Sequence, residues 1–335
     1  MTRALITGIT GQDGAYLAEL LLKKGYKVFG TYRRQASTNF WRLHYLKIIN
    51  KINLISADVL DSTSLYRALQ KSNPQEVYHL AAQSFVGASF DQPIYTSDVT
   101  GFGTVRLLEE VLKFNNKIKF YQASSSEMFG SEKSNVKNET TPFMPSSPYA
   151  ISKLYAYWQT KLYREAYNTF AVNGILFNHE SPIRGLEFVT RKISNEIAKI
   201  SLGISKKLVL GNLNAKRDWG YAPEFVEGIW KSLQTKKADD YVMATNESHS
   251  VKEFVDKACE IAAVPKNKIF SNKTLLRPHD VKSLKGDYSK AKKILKWEPK
   301  VKFEELVKIM VEEDINRWEQ KLKGEHVPWD AENSF

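Results

Sequence analysis

Short apolar runs alternate with amphipathic stretches through the first half of the chain. Arg3–Ile9, Tyr26–Tyr32, Asn53–Ala57, Glu76–Leu80, Ile118–Ala123 and Ala171–Phe177 are apolar enough to read as buried strands. Between them, Gly14–Lys24 places Leu17, Leu20 and Leu21 on one helical face. Ser62–Lys71, Gly101–Phe114 and Ser147–Tyr167 read as helices too. Strands separated by helices imply right-handed crossovers and a parallel sheet. After about residue 178 the pattern loosens into helices at Phe188–Leu202, Pro223–Leu233, Val251–Ala263 and Phe303–Trp318, with strands at Lys207–Leu210 and Asp240–Ala244. The expected architecture is a Rossmann-type doubly wound α/β sheet with a smaller, interleaved C-terminal substrate-binding domain. Residues 1–177 form the first domain and 178–335 mainly the second, with elements around 214–245 returning to the first.

The chemistry begins at the first strand–helix junction. Gly8, Gly11 and Gly14 stand in G-x-x-G-x-x-G spacing, with Gln12 and Asp13 between them. Glycines there let a turn close tightly against a pyrophosphate seated on a helix N-terminus. That context predicts a dinucleotide site. An NAD site usually carries an acid after the second strand, to hold the ribose 2′-hydroxyl. This chain has Arg33 and Arg34 instead, and a guanidinium holds a 2′-phosphate bidentately. NADP is the expected cofactor, although two arginines also suit an ordinary surface. Asp58 can meet the adenine amino group or cap the following helix.

Tyr149 and Lys153 lie four apart on a predicted helix and so share a face. A nearby ammonium lowers a phenol pKa, and the lysine can also hold a ribose. Ser125 and Glu127 directly follow a strand, where such sheets keep their chemistry.

Net charge changes the picture in one place. Of the formal +12, residues 266–302 carry twelve Lys or Arg against three acids. A nucleic-acid patch is one reading; a solvated lysine surface near a phosphate-bearing substrate is preferred, because the lysines are interleaved with helix formers rather than aromatics and no nucleic-acid motif accompanies them. With 42% apolar and 26% charged residues, a disordered chain is excluded. No window approaches the roughly 18 apolar residues of a membrane span, and none resembles a signal peptide. One cysteine, Cys259, excludes an internal disulfide and a cysteine metal cluster, and the six histidines show no metal spacing, so no metal is expected. A cytoplasmic location is the default.

Gly8–Gly14, Tyr121–Glu127, Asn173–Pro182, Phe188–Ile193 and Leu210–Gly220 together resemble the extended short-chain dehydrogenase/reductase family over essentially the whole chain. Within it they resemble the GDP-mannose 4,6-dehydratases. The resemblance implies an NADP-dependent lyase that turns GDP-α-D-mannose into GDP-4-dehydro-6-deoxy-α-D-mannose and water, a step toward GDP-fucose, GDP-rhamnose or related deoxy sugars. It implies Tyr149 as base for the sugar 4-hydroxyl, Lys153 as its partner, Ser125 as hydrogen-bonding group and Glu127 as acid/base for elimination across C5 and C6. Gly8, Gly11, Gln12, Asp13, Gly14, Arg33, Arg34, Asp58, Val59, Leu80, Ala81, Gln83, Tyr95, Lys153, His179 and Arg184 would contact cofactor. Asn178, Lys192, Arg217, Arg277 and Asp280 would contact the nucleotide-sugar. A homodimer or homotetramer is implied, with neither nucleic acid nor membrane as partner.

Three positions depart from the family pattern: Ser125 for threonine, Ile183 for the first of two arginines, and Asp280 for glutamate. The nearest alternatives are a GDP-heptose 4,6-dehydratase, a reductase or an epimerase on the same fold. A protein that binds NADP or nucleic acid without catalysis is the reading from another class.

Overall fold

In a computed structural model the described residues are 1–36, 39–275 and 281–325. Seven apolar runs pair side by side: β1 (Arg3–Thr7), β2 (Lys27–Tyr32), β3 (Asn53–Ser56), β4 (Glu76–His79), β5 (Lys119–Ser125), β6 (Ala171–Leu176) and β11 (Asp240–Met243). Every pair is parallel, and the order is β3-β2-β1-β4-β5-β6-β11. This is the doubly wound Rossmann order with one strand added at the β6 edge. It reverses between β1 and β4, so a crevice opens outside their C-terminal ends.

Both faces of the sheet are covered, which is why its strands are apolar without alternation. All six β6 residues are buried. On one face lie α1 (Gln12–Lys23), α2 (Trp41–Tyr45) and α9 (Ala222–Leu233), burying Leu17, Leu21, Trp41, Phe225 and Ile229. On the other lie α3 (Ser62–Ser72) and α6 (Gly103–Phe114), burying Leu65, Leu69, Leu107 and Val111. Two short helices, α4 (Val86–Asp91) and α5 (Pro93–Thr96), and a π-helical turn at Ser97–Phe102 lead into α6. The long α7 (Pro148–Ala166) follows β5.

The rest of the chain is built from small pieces. β7 (Asn178–Glu180) pairs with β10 (Trp219–Tyr221), β9 (Lys216–Arg217) with β12 (His249–Ser250), and β8 (Leu208–Leu210) with β13 (Ile269–Ser271). Around them α8 (Val189–Ser201), α10 (Val251–Ile261) and α12 (Phe303–Leu322) share a core of Ile193, Ile197, Trp219, Phe254, Val307 and Met310. A short α11 (Ser289–Leu295) precedes α12.

Two differences from the sequence reading matter. β5 runs to Ser125 rather than stopping at Ala123, because its polar end is paired: Ser124 donates to Asn173 Oδ1 at 3.1 Å, and Ser125 stands beside Leu176. The helix expected from Gly101 begins at Gly103, after the π-helical turn.

Candidate active site

The crevice at the β1/β4 reversal holds a chamber of about 330 Å³. Gly8, Gly11, Gln12, Asp13, Gly14, Leu80, Ser125, Glu127, Tyr149, Lys153, Asn178, His179, Arg184 and Arg217 all line it. Strands that end side by side bring together residues up to two hundred positions apart.

Gly8 adopts a φ of +72°, and a Cβ there would sit 2.8 Å from the Ala81 nitrogen. A Cβ on Gly14 would meet the Gly8 carbonyl at 2.4 Å. Bulkier residues are therefore excluded from this turn. Helix α1 starts at Gln12 with Gly11 at its N-cap and no side chain capping it. Its first N–H groups are left for an anion, assisted by the helix dipole. Below the turn, the Thr7 hydroxyl accepts the N–H groups of Leu80 (3.2 Å) and Ala81 (3.3 Å) and donates to His79 Nδ1 (2.7 Å). Burial pushes His79 down to about 3, so it stays neutral. Thr7 and His79 tie β1 to β4 beneath the crevice; sequence reasoning missed both, since each reads as an ordinary strand residue.

Asp13 and His179 join the two sides of the crevice. His179 Nε2 lies 2.9 Å from Asp13 Oδ2, Nδ1 donates to the Phe177 carbonyl at 2.7 Å, and the ring stacks on Phe225. Gln12 Nε2 donates to Asp13 (2.9 Å) and to the His179 carbonyl (3.1 Å), and Ser181 donates to Gln12 Oε1 (2.8 Å). Burial alone would raise Asp13, but the His179 and Arg184 charges with the local hydrogen bonds bring it down to about 2. Burial opposes protonation of His179, and Asp13 overcomes it, so His179 rises above its ordinary 6.5. Arg184 Nε stands 3.3 Å from Glu180, and its guanidinium covers the Phe188 ring.

Other expected cofactor residues lie on the rim. Arg33 and Arg34 are exposed just beyond β2, and Arg33 donates to the Tyr95 hydroxyl. Gln83 is held by its backbone N–H to Thr100 (3.1 Å) and its amide to the Phe85 carbonyl (3.1 Å). Val59 is buried against Gly103. Asp58 is not the cap of α3. Asp61 fills that role, accepting from Thr63 (3.0 Å) and Ser64 (3.3 Å), while Asp58 accepts from Leu60 (3.0 Å).

Across the chamber, Ser147 caps α7 by accepting the Ala150 N–H, which sets Tyr149 and Lys153 one turn apart on the inward face. Both are buried. Lys153 donates to the Ala123 carbonyl at 2.6 Å and lies 5.8 Å from the Tyr149 ring centre. The expectation that this lysine lowers the phenol pKa is not met. Burial drives Tyr149 up to about 12, against a hydrogen bond from Ser125, and burial drives Lys153 down to about 8. The ammonium is aimed at a carbonyl rather than at the phenol oxygen. Ser125 also accepts the Glu127 N–H (3.2 Å), fixing the turn that carries the carboxylate.

Glu127 Oε1 is 3.9 Å from Arg217 Nε. Arg217 Nη1 donates to the carbonyls of Val281 (2.7 Å) and Lys216 (3.0 Å). Beside it, fully buried Asp218 accepts from Thr245 N (2.8 Å), Thr245 Oγ1 (2.7 Å), Asn246 N (3.0 Å) and Gly286 N (3.1 Å). Burial pushes it up to about 6 despite these bonds. Asn178 Oδ1 is buried without a hydrogen-bond partner among the described residues. Lys192 is exposed on α8 and outside the chamber wall. Arg277 and Asp280 lie outside the described residues. Among the described residues no three His, Cys, Asp or Glu gather as a metal site, and no helix is long and apolar enough to cross a membrane.

The family described as GDP-mannose 4,6 dehydratase matches residues 5–310. GDP-mannose 4,6 dehydratase 1 of Arabidopsis thaliana is 52% identical over 323 residues, covering 93% of this chain and 89% of its own. The human GDP-mannose 4,6 dehydratase is 48% identical over 340 residues, covering 93% and 91%. Among solved structures, dTDP-glucose 4,6-dehydratase from Bacillus anthracis in complex with NAD superposes with a TM-score of 0.83 at 23% identity, over 95% of this chain and 98% of that one.

Proposed function

The chain belongs to the GDP-mannose 4,6 dehydratase family, and from that premise we propose that it removes water from GDP-α-D-mannose to give GDP-4-dehydro-6-deoxy-α-D-mannose. It is a hydro-lyase on a short-chain dehydrogenase/reductase fold. One observation carries the reading: a carboxylate, Glu127, lines the same chamber as Ser125, Tyr149, Lys153 and the glycine turn. A reductase or epimerase has no need of that carboxylate, whereas expulsion of the C6 hydroxyl requires a proton to leave C5 and another to reach the departing oxygen.

The glycine turn fits a dinucleotide: its N–H groups are uncapped and Gly8 admits close approach. The solved relative with NAD supports a nicotinamide cofactor, and exposed Arg33 and Arg34, with no acid between them and β2, favour NADP. When bound, the nicotinamide would accept hydride from C4 of the sugar and return it to C6.

The residues of the chain move the protons. Tyr149 takes the 4-hydroxyl proton; with its phenol at about 12 in the free protein, it would need the positive charge of a bound cofactor to do so near neutrality. Ser125 donates to the same oxygen. The resulting 4-ketone acidifies the C5 proton, which Glu127 removes. Glu127 then protonates the leaving C6 hydroxyl, and when hydride reaches C6 a solvent proton would return to C5, matched by the proton that Tyr149 releases. Asn178 and the cations Arg217, Lys192 and Arg277 are assigned to the nucleotide diphosphate and sugar, with Asp280 on the ribose.

The division into residues 1–177 and 178–335, with 214–245 returning, belongs to the same reading; β11 and α9 packing on the main sheet supports it. So does self-association, supported by the exposed apolar face of Phe102, Ile151, Tyr155, Trp158 and Leu162. A cytoplasmic setting completes the proposal.

The decisive assay mixes the purified protein with GDP-mannose and NADP⁺ and follows product mass. Loss of one water is the expected result. Turnover of a GDP-heptose with none of GDP-mannose would overturn the substrate.

A further inference from the structure

Behind the crevice, the turn that leaves β7 is gripped in an unusual way. Three consecutive carbonyls each accept from a guanidinium of a different helix. Pro182 accepts from Arg317 Nη1 of α12 at 2.5 Å, Ile183 from Arg42 Nε of α2 at 2.7 Å, and Arg184 from Arg191 Nη1 of α8 at 2.9 Å. Arg42 also reaches the Thr10 carbonyl inside the glycine turn, at 3.2 Å. Arg191 and Arg317 are almost wholly buried and share one counter-ion, buried Asp314. Both oxygens of Asp314 lie 3.0 Å from Arg191 Nε, Oδ1 lies 3.1 Å from Arg317 Nη1, and Oδ2 accepts from Ser194 at 2.6 Å. Arg317 Nε faces Glu313 at 3.6 Å, and its guanidinium lies over the Tyr45 ring.

Within this turn Ile183 and Arg184 stand side by side. Ile183 is fully buried in the core beside α1 and α2. Ile183 brings no charge to the turn, and α12 brings Arg317 to it beside Arg184. We propose that Arg317 is a positioning residue for the cofactor side of the site. By holding the Pro182 carbonyl, and by sharing Asp314 with Arg191, it fixes the backbone on both sides of Ile183. Arg184 is then presented to Asp13, His179 and the glycine turn. This rests on reading that turn as a nicotinamide-dinucleotide site.

The test is Arg317→Met, which keeps the bulk of the stem and removes the fork. It is compared with Met310→Ala, a fully buried α12 position in a different core cluster. NADP⁺ affinity is measured by titration calorimetry, KM for GDP-mannose at saturating cofactor, and the thermal midpoint by circular dichroism. Arg317→Met should raise the NADP⁺ dissociation constant about tenfold, as expected for one charge-assisted hydrogen bond, and leave that KM within about twofold. Met310→Ala should lower the midpoint without moving the dissociation constant. If Arg317→Met does not fold, Arg317→Gln replaces it, and a rise of about threefold is expected. An unchanged dissociation constant, or an equal rise in Met310→Ala, overturns the proposal. Wild-type protein that binds neither NADP⁺ nor NAD⁺ would instead overturn the cofactor reading beneath it.

Discussion

The two sides of the crevice are built differently. The proposed cofactor side is the ends of β1, β2, β3 and β4, four neighbours in one parallel sheet. Its recognition elements are backbone N–H groups and a glycine turn, and each loop is ordered by the strand before it. The substrate side has no such frame. β7, β9 and β10 are three, two and three residues long, and each pairs with a segment far away in sequence. Such ladders are too short to stand alone. Buried charge holds them instead: Asp218 collects four hydrogen bonds from two loops, and Arg191, Arg317 and Asp314 pin the turn after β7, where this side joins the other. Lys216 exchanges backbone hydrogen bonds with Lys282 (2.9 Å) and Leu284 (3.2 Å). Where a sheet supplies the geometry, short polar side chains suffice; where it does not, the fold relies on desolvated ions that tolerate little change.

The largest effect should separate the chemistry of the two sides. Glu127→Gln keeps the shape of the chamber and removes the base. Dehydration should fall by about 10²–10⁴ or more, while partial reduction of bound NADP⁺ survives because Tyr149 and Lys153 are intact. Full turnover by this variant, read by product mass and by deuterium at C5 in heavy water, would remove Glu127 from the mechanism.

Next is stability. Asp314→Ala strands two buried guanidiniums and should cost about 3–5 kcal/mol in urea unfolding. Asp61→Ala, which removes a surface helix cap on the cofactor side, should cost only about 1 kcal/mol. Equal losses would erase the distinction drawn between the two sides.

A smaller effect tests their independence. Arg33→Ala with Arg34→Ala should weaken NADP⁺ binding by about one to two orders of magnitude, spare NAD⁺, and leave KM for GDP-mannose at saturating cofactor unchanged. A matching rise in that KM would show that the two sides are coupled through the rim.

The smallest effect concerns the joint between them. His179 is raised above 6.5, so its contribution to stability is complete below that pH and is lost as pH rises through the folded value. Asp13 is lowered, so its share is present above 3.8 and disappears as pH falls toward about 2. Urea midpoints should therefore decline as pH rises above 6.5, and His179→Gln should flatten that decline. An identical slope in the variant would mean that the pair contributes nothing across the crevice.

The sequence by itself determined the sheet, the glycine turn, the Tyr149–Lys153 pair and the carboxylate after β5. Each is a local signal: an apolar run, a spacing of three, a spacing of four, a residue just beyond a strand. It also singled out Ile183 as a departure from the pattern that its resemblance implies. Tertiary structure alone decided what depends on contacts between distant segments. It tied Thr7 to His79 and Asp13 to His179. It turned Lys153 toward a carbonyl instead of the phenol, and gave the capping of α3 to Asp61 rather than Asp58. It also brought Arg317 from the last helix to the Pro182 carbonyl, beside Ile183. A periodicity records which side of an element is buried; it carries no record of which ion waits there, because burial makes a charge seek whichever partner the packing brings within reach.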